Sequence, residues 1–96
     1  KNNSYMKKSA RLYISGAVQG IFYTNFVKQN AEKLDIRGFL RTLEDGRIEV
    51  FLEGQIENVN KMIDLCSVGP KHSQIRNVEI KKEKYQDLKS FKVLNI

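Results

Sequence analysis

One stretch of the chain carries its most informative pattern: Ser15-Gly16-Ala17-Val18-Gln19-Gly20-Ile21-Phe22-Tyr23-Thr24. Before it, apolar and polar residues alternate as in a half-buried strand, and after it apolar residues recur at helical spacing. The glycines predict a tight turn between these two elements. Backbone N–H groups at the start of a helix lack partners and the helix dipole adds positive charge there, so the turn predicts a pocket for an anion.

The rest of the chain predicts one sheet and two helices. Asp45-Gly46 between two strand-like runs is a strong hairpin signal, and Gly69-Pro70 ends the second helix near Val68. With right-handed crossovers, the order of elements predicts a ferredoxin-like βαββαβ sandwich of the α/β (α+β) class, in which two helices cover one face of an antiparallel sheet. The predicted strands are 11–18, 36–42, 47–53, a segment after Pro70 and a short fifth edge strand at 91–94. The predicted helices are about 24–34 and 56–68.

Length and composition limit the chain to one small domain. It has 96 residues, of which 41% are hydrophobic, enough for a single core. We expect a disordered basic lead over residues 1–9 and one domain over 10–96. No apolar run approaches the roughly 20 residues that cross a bilayer, and the lone Cys66, in an apolar helical stripe, fits a core position and a reducing compartment. We therefore expect a soluble, cytoplasmic monomer.

The formal net charge is +6, which raises the question of a polyanionic partner. Both a solvated basic surface and a real polyanion site are compatible with the sequence. The basic residues form two groups, which are Lys7, Lys8 and Arg11 near the start and Lys81, Lys82, Lys84, Lys89 and Lys92 near the end.

Two motifs make the chain resemble the acylphosphatase family over nearly all of residues 10–96. The family's first motif is Gly-x-Val-Gln-Gly-Val-x-Phe-Arg, and residues 16–24 read Gly-Ala-Val-Gln-Gly-Ile-Phe-Tyr-Thr. The second is a glycine, an aromatic, a small apolar residue, any residue and asparagine, followed by Asp-Gly; here Gly38-Phe39-Leu40-Arg41-Thr42 precedes Asp45-Gly46. The resemblance implies hydrolysis of the carboxyl-phosphate bond of small acyl phosphates, with inorganic phosphate as a second ligand and no cofactor.

The chain departs from the family at both catalytic positions. There the family's arginine clamps the phosphate and its asparagine orients the attacking water, whereas this chain has Thr24 and Thr42. A guanidinium offers a fixed charge and two donors, but threonine offers one neutral hydroxyl. Loss of one transition-state donor typically costs about 10²–10³ in turnover. We expect weak or lost hydrolysis, and a catalytically silent anion-binding domain is the alternative.

The predicted anion site consists mainly of backbone N–H groups. By resemblance the donors belong to Gly20, Ile21, Phe22, Tyr23 and Thr24, with Gln19 shaping the turn. Lys28 lies one helical turn after Thr24 and is a candidate to replace the missing cation. Arg41 neighbours Thr42, but alternation along a strand predicts that it points away from the site.

A third hypothesis is a single-stranded nucleic-acid binder. Alternation places Tyr13, Phe39 and Phe51 on the face of the sheet away from the helices, where aromatic residues of other βαββαβ domains stack bases. Glu49 and Glu53 on the same face argue against it.

The remaining polar residues do not indicate a metal site or an acid–base site. The chain has one histidine, His72, in a predicted loop without a second ligand at metal spacing, so no metal is predicted. Glu44 and Asp45 sit at the hairpin, where a turn-forming role is the simpler interpretation.

Overall fold

The computed structural model describes residues 6–17 and 20–94. This part of the chain forms one sheet and two helices. In chain order they are β1 (Lys7–Ala17), α1 (Gly20–Lys33), β2 (Arg37–Thr42), β3 (Ile48–Gln55), α2 (Ile56–Val68), β4 (Gln74–Lys82) and β5 (Phe91–Val93). The strand order is β4-β1-β3-β2-β5, antiparallel throughout except that β5 runs parallel to β2. The predicted ferredoxin-like fold with a fifth edge strand is confirmed.

The core lies between the helices and one face of the sheet. In β1, Leu12 and Ile14 are buried on this face, whereas Arg11 and Tyr13 point to the other, as the alternation predicts. Both helices contribute a stripe of buried residues, which are Tyr23, Val27, Ala31, Val59, Met62 and Cys66. The structure confirms that Cys66 is a core residue.

The predicted end of the disordered lead, at residue 9, is wrong. The sheet begins at Lys7, so residues 7–9 are not part of a disordered lead but pair with the last residues of β3. Main-chain pairing needs no apolar side chains, and so this part of β1 leaves no apolar alternation in the sequence. Residues 1–5 of the predicted lead lie outside the described residues.

Helix α1 begins at Gly20, four residues before the predicted start. The first turn was not recognisable from the apolar pattern because Ile21 and Phe22 face solvent, with 71% and 62% of their surface exposed. They therefore interrupt the buried stripe that identifies the rest of the helix.

The second face of the sheet is covered by the segment between β4 and β5, residues 83–90. The carboxylate of Glu53, which has no exposed surface, accepts hydrogen bonds from the backbone N–H of Gln86 at 2.8 Å and of Leu88 at 2.5 Å. It also accepts one from the Ser9 hydroxyl at 3.1 Å. Three donors satisfy the buried carboxylate and hold the segment against the sheet.

A second buried carboxylate, Glu49, lies on the same face between two arginines. It forms ion pairs with Arg11 and Arg41. Burial alone would raise the pKa of Glu49, but the hydrogen bonds and charges of the two guanidinium groups outweigh it and hold that pKa below its usual value. Arg11 also pairs with Glu83 and lies 5.0 Å above the centre of the Phe51 ring.

The expectation that Phe51 is available to stack a nucleic-acid base is wrong. Phe51 has no exposed surface because it lies beneath Arg11 and stacks on Phe39, with 5.6 Å between ring centroids. Tyr13 is only half-exposed and has the charged groups of Arg47 and Lys81 above its ring. The described structure therefore offers no open row of aromatics on this face.

In the part of the chain that the structure describes, neither helix is long and apolar enough to cross a membrane.

Substitution of Glu53→Gln should lower the free energy of unfolding by about 3 kcal/mol, because the neutral amide keeps one acceptor oxygen and turns an NH₂ group toward backbone donors. Urea unfolding followed by circular dichroism measures the change. Glu44→Gln, the same substitution at an exposed residue of the hairpin, is the control and should change stability by less than about 0.5 kcal/mol. Equal effects of the two substitutions would contradict a structural role for the Glu53 carboxylate.

Candidate anion-binding site

The ends of β1 and β2 lie at the same end of the sheet. Both strands pair antiparallel with β3 and therefore run in the same direction. Their register places Ile14, Ile48 and Thr42 in one row across three strands. Thr42 shares the core-facing side of β2 with buried Leu40. This brings Thr42 to the end of the sheet where β1 leads into α1.

Gly16 is required by the packing of β1 against β4. Its φ is 145°, and a Cβ atom there would lie 2.3 Å from the Gln74 carbonyl oxygen and 2.7 Å from the Arg76 nitrogen. The register between the strands shifts at this point, between Ser15 and Gly16. No other residue fits without moving a strand, so Gly16 has a structural role whether or not an anion binds.

Gly20 differs from Gly16, since nothing in its packing calls for a glycine. It is the first residue of α1 and is exposed, and a Cβ atom there would meet no atom of the described structure within 4 Å. The first turn of the helix also contains no acidic residue. The backbone N–H groups of Gly20, Ile21 and Phe22 are thus at the start of the helix, where an anion is favoured.

The early helix start shortens the predicted list of donors. The N–H of Thr24 lies one full turn after Gly20 and falls within the hydrogen-bond ladder of the helix. Contrary to the prediction, it is therefore not a free donor. The side chain of Thr24 is half-buried. Gln19, predicted to shape the turn, lies outside the described residues.

Tyr23 fixes the start of α1 against the end of α2. Its ring is fully buried and its hydroxyl donates a hydrogen bond of 2.6 Å to the carbonyl oxygen of Cys66. That carbonyl is in the last turn of α2, where helical carbonyls lack partners. Sequence reasoning did not assign this contact; the only signal was a tyrosine where the family motif has phenylalanine.

Burial controls the ionisation of this pair. It is the main reason that the pKa of Tyr23 is raised, and it raises the pKa of the Cys66 thiol to about 12. Both groups are therefore protonated at neutral pH. A protonated thiol with no exposed surface is a poor nucleophile, so Cys66 supplies packing and not reactivity.

Neither cation proposed from the sequence is directed to the turn. Lys28 Nζ lies 3.0 Å from the Glu32 carboxylate, one turn further along α1 and away from its start. Arg41 pairs with Glu49 on the other face of the sheet, as its position in β2 predicts. The lysine and arginine nearest in sequence to the two threonines are thus both engaged elsewhere.

The other residues singled out in the sequence have structural positions. Asp45 accepts hydrogen bonds from the backbone N–H of Arg47 at 3.0 Å and from its Nε at 2.8 Å, which lowers the pKa of Asp45 and closes the hairpin. The turn-forming interpretation of Asp45 is confirmed. Glu44 and His72 are exposed, and His72 has a φ of 72° in the loop before β4.

The five-stranded sheet and the two helices on one of its faces define a small α+β domain. Comparison with known proteins gives the family. The acylphosphatase family model matches residues 10–93. An acylphosphatase of Rubrobacter xylanophilus is 38% identical over 76 residues, which cover 79% of this chain and 69% of the relative. One from Pyrobaculum islandicum is 38% identical over 87 residues, covering 88% and 92%.

Solved structures agree with the sequence relatives. The structure of an acylphosphatase from Coxiella burnetii is similar to this one with a TM-score of 0.84 at 25% identity, covering 92% of this chain and 93% of that one. The chain belongs to the acylphosphatase family, which supports an acylphosphatase-like function.

The two glycines of the turn should respond differently to the same added methyl group. Gly16→Ala should destabilise the protein by at least about 3 kcal/mol, because the methyl collides with the β4 backbone. Gly20→Ala should change stability by less than about 1 kcal/mol, because alanine is favoured in a helix and meets no neighbour. Urea unfolding of the two variants measures both effects.

Calorimetric titration with inorganic phosphate tests whether Gly20 contributes to anion binding in addition to its place in the fold. Gly20→Ala should weaken phosphate binding about ten-fold, or 1.4 kcal/mol, since the methyl group fills the approach to the N–H groups. A folded Gly20→Ala protein that binds phosphate as well as the unmodified chain would show that no anion enters at this point.

Proposed function

We propose that the protein binds small acyl phosphates at the start of α1 and hydrolyses them slowly to a carboxylate and inorganic phosphate. The open space over Gly20 is the observation that carries the proposal. A glycine that neither packing nor the helix requires is accounted for if a phosphate approaches the backbone there. Membership of the acylphosphatase family supplies the substrate class.

In the proposed reaction, water attacks phosphorus and the bond between phosphorus and the acyl oxygen breaks. The electron pair leaves with the carboxylate, and a proton of the water is lost to solvent. Negative charge on the phosphoryl oxygens would be met by the N–H groups of Gly20, Ile21 and Phe22 and by the helix dipole. Thr42, at the adjoining strand end, would orient the water through its hydroxyl.

The slow rate follows from the donors that are missing. Main-chain N–H groups are neutral donors, so they stabilise the charge that develops in the transition state less than a guanidinium would. A guanidinium fork would add fixed charge where charge increases during the reaction. The pairing of Lys28 with Glu32 leaves the first turn without that addition.

The Lys28–Glu32 pair also supports a second candidate, a domain that binds anions without turning them over. The two candidates share the anion site and differ only in chemistry. Steady-state hydrolysis of benzoyl phosphate, followed by ultraviolet absorbance with inorganic phosphate as inhibitor, separates them. Turnover above the spontaneous rate that phosphate suppresses supports the hydrolase; binding of phosphate without turnover supports the silent domain.

Restoring the family residues should restore the chemistry. The double variant Thr24→Arg/Thr42→Asn should hydrolyse benzoyl phosphate at least about 10²–10³ times faster than the unmodified chain, because it regains the charged clamp and the water-orienting amide. Thr24→Lys/Thr42→Asn is the matched control: it supplies the same charge without the fork and should gain less. A folded Thr24→Arg/Thr42→Asn protein with no gain would mean that the turn no longer presents a phosphate to these positions.

A further inference from the structure

We propose that two copies of this chain dimerise through the outer edge of β4, so that their sheets join edge to edge. β4 has nine residues and is the last strand on its side of the sheet. Among the described residues, no strand lies along its outer side. A free edge of this length presents unpaired backbone N–H and C=O groups that another strand can pair with. The dimer does not depend on the acyl phosphate function proposed for the start of α1.

The pairing of β4 with β1 determines which backbone groups of β4 point outward. The N–H of Glu83 donates to the carbonyl oxygen of Ser9 at 3.4 Å. Pairing is regular from Lys82 back to Asn77, so every second residue before Glu83 also points its backbone groups to β1. The residues between them point their N–H and C=O groups to the free edge. These outward residues are Val78, Ile80 and Lys82.

Ile80 provides an apolar surface in the middle of this edge. Its register partner is the buried Leu12, so Ile80 lies on the side of the sheet that carries the helices. It is nevertheless 52% exposed, whereas Val78 beside it is half-buried. Covering the exposed part of Ile80 with a second copy of the same strand would favour association.

An antiparallel pair with its two-fold axis at Ile80 would use all of the outward backbone groups. Ile80 would exchange both hydrogen bonds with its own copy. Val78 would exchange both with the partner's Lys82, and Lys82 with the partner's Val78. On the helix side of the sheet, the two Ile80 side chains would face each other.

The same register would pair opposite charges on the other side of the sheet. Glu79 would lie opposite the partner's Lys81, and Lys81 opposite the partner's Glu79, which stabilises an antiparallel pair. Both residues point their backbone groups to β1, and in such pairs the facing side chains lie closest. Within one chain the two charged groups are 3.8 Å apart and each side chain is about half exposed. They are therefore accessible to a second partner.

Neighbouring registers lack this complementarity. An axis at Glu79 would place that carboxylate opposite its own copy, and an axis at Lys81 would place two ammonium groups opposite each other. An axis at Val78 would place Glu79 opposite Asn77 and would form no charge pair. Like charges at facing positions are destabilising, so the charges favour the register centred on Ile80 and disfavour slipped ones.

Association through β4 would end at two copies. The pairing uses the β4 edge of both chains, and a contact between identical surfaces closes on itself. The opposite edge of the sheet is β5, which has only three residues and offers few backbone groups to a further chain. The monomer expected from the sequence is thus replaced by a dimer in this proposal.

The test is sedimentation velocity at physiological ionic strength over a range of protein concentrations. The unmodified chain should shift from monomer to dimer as concentration rises. Glu79→Lys and Lys81→Glu each place like charges opposite one another and should weaken dimerisation at least about ten-fold. Glu44→Lys, the same reversal at an exposed residue of the hairpin, is the control and should leave dimerisation within about two-fold.

A mixture of the two β4 variants separates local pairing from net charge. Opposite charges face each other again when Glu79→Lys meets Lys81→Glu, so these variants should associate with each other about as tightly as the unmodified chain with itself. Lys81→Glu also lowers the net charge of +6 by two. General repulsion alone would therefore make this variant self-associate more tightly, whereas the proposed register makes it self-associate less tightly.

Hydrogen exchange of backbone amides locates the contact. The N–H groups of Val78, Ile80 and Lys82 should exchange more slowly as the concentration of the unmodified chain rises. Those of Glu79 and Lys81 already bond to β1 and should change little.

Three results would overturn the proposal. The first is a monomer at every concentration. The second is a dimer that Glu79→Lys and Lys81→Glu leave unchanged, which would place the contact elsewhere. The third is slow exchange of the Ile80 N–H at every concentration, which would mean that another part of the same chain already covers the edge. All measurements are made without phosphate, so none of them reports on the acyl phosphate function.

Discussion

The close approach of β1 and β4 at Gly16 is the constraint on which both fold and site depend. With a side-chain carbon placed only 2.3 Å from the Gln74 carbonyl oxygen, the strands pack there only around a glycine. The register of the two strands shifts at this residue, and pairing then continues through Ala17, the last residue of β1. Tyr23 then fixes the helix by its bond to the end of α2. Gly20, by contrast, is free of any packing requirement in the described structure.

The face of the sheet without helices is stabilised by satisfied charges. Burying a carboxylate is unfavourable unless each oxygen finds donors or a cation. Glu49 finds two guanidinium groups, and Glu53 finds two backbone N–H groups and a hydroxyl. Glu53 holds the segment 83–90, and Glu49 holds Arg11 over the ring of Phe51, which is as buried as the residues beneath the helices.

The sequence predicted the elements whose apolar residues recur regularly because one side packs on the core. It did not predict features that depend on main-chain pairing or on contacts between distant residues. Alternation and helical spacing gave the order of elements and the buried stripes, because one face of each meets the core. Pairing of residues 7–9 and the solvent-facing first turn of α1 leave no such period. Burial of Phe51 depends on Arg11, which is forty positions away in the chain, and the direction of Lys28 depends on its contact with Glu32. Neither the burial of Phe51 nor the direction of Lys28 can be predicted from the spacing of neighbouring residues.

The chemistry proposed for this molecule depends on which charged and polar groups lie near the start of α1. In the proposed site the backbone N–H groups would be neutral donors, which stabilise developing negative charge less than a guanidinium does. The side-chain cations nearest in sequence to Thr24 and Thr42 are engaged in other contacts: Lys28 with Glu32 and Arg41 with Glu49. A chain of net charge +6 thus has the fold of the acylphosphatase family, while the cations nearest in sequence to Thr24 and Thr42 contact carboxylates elsewhere.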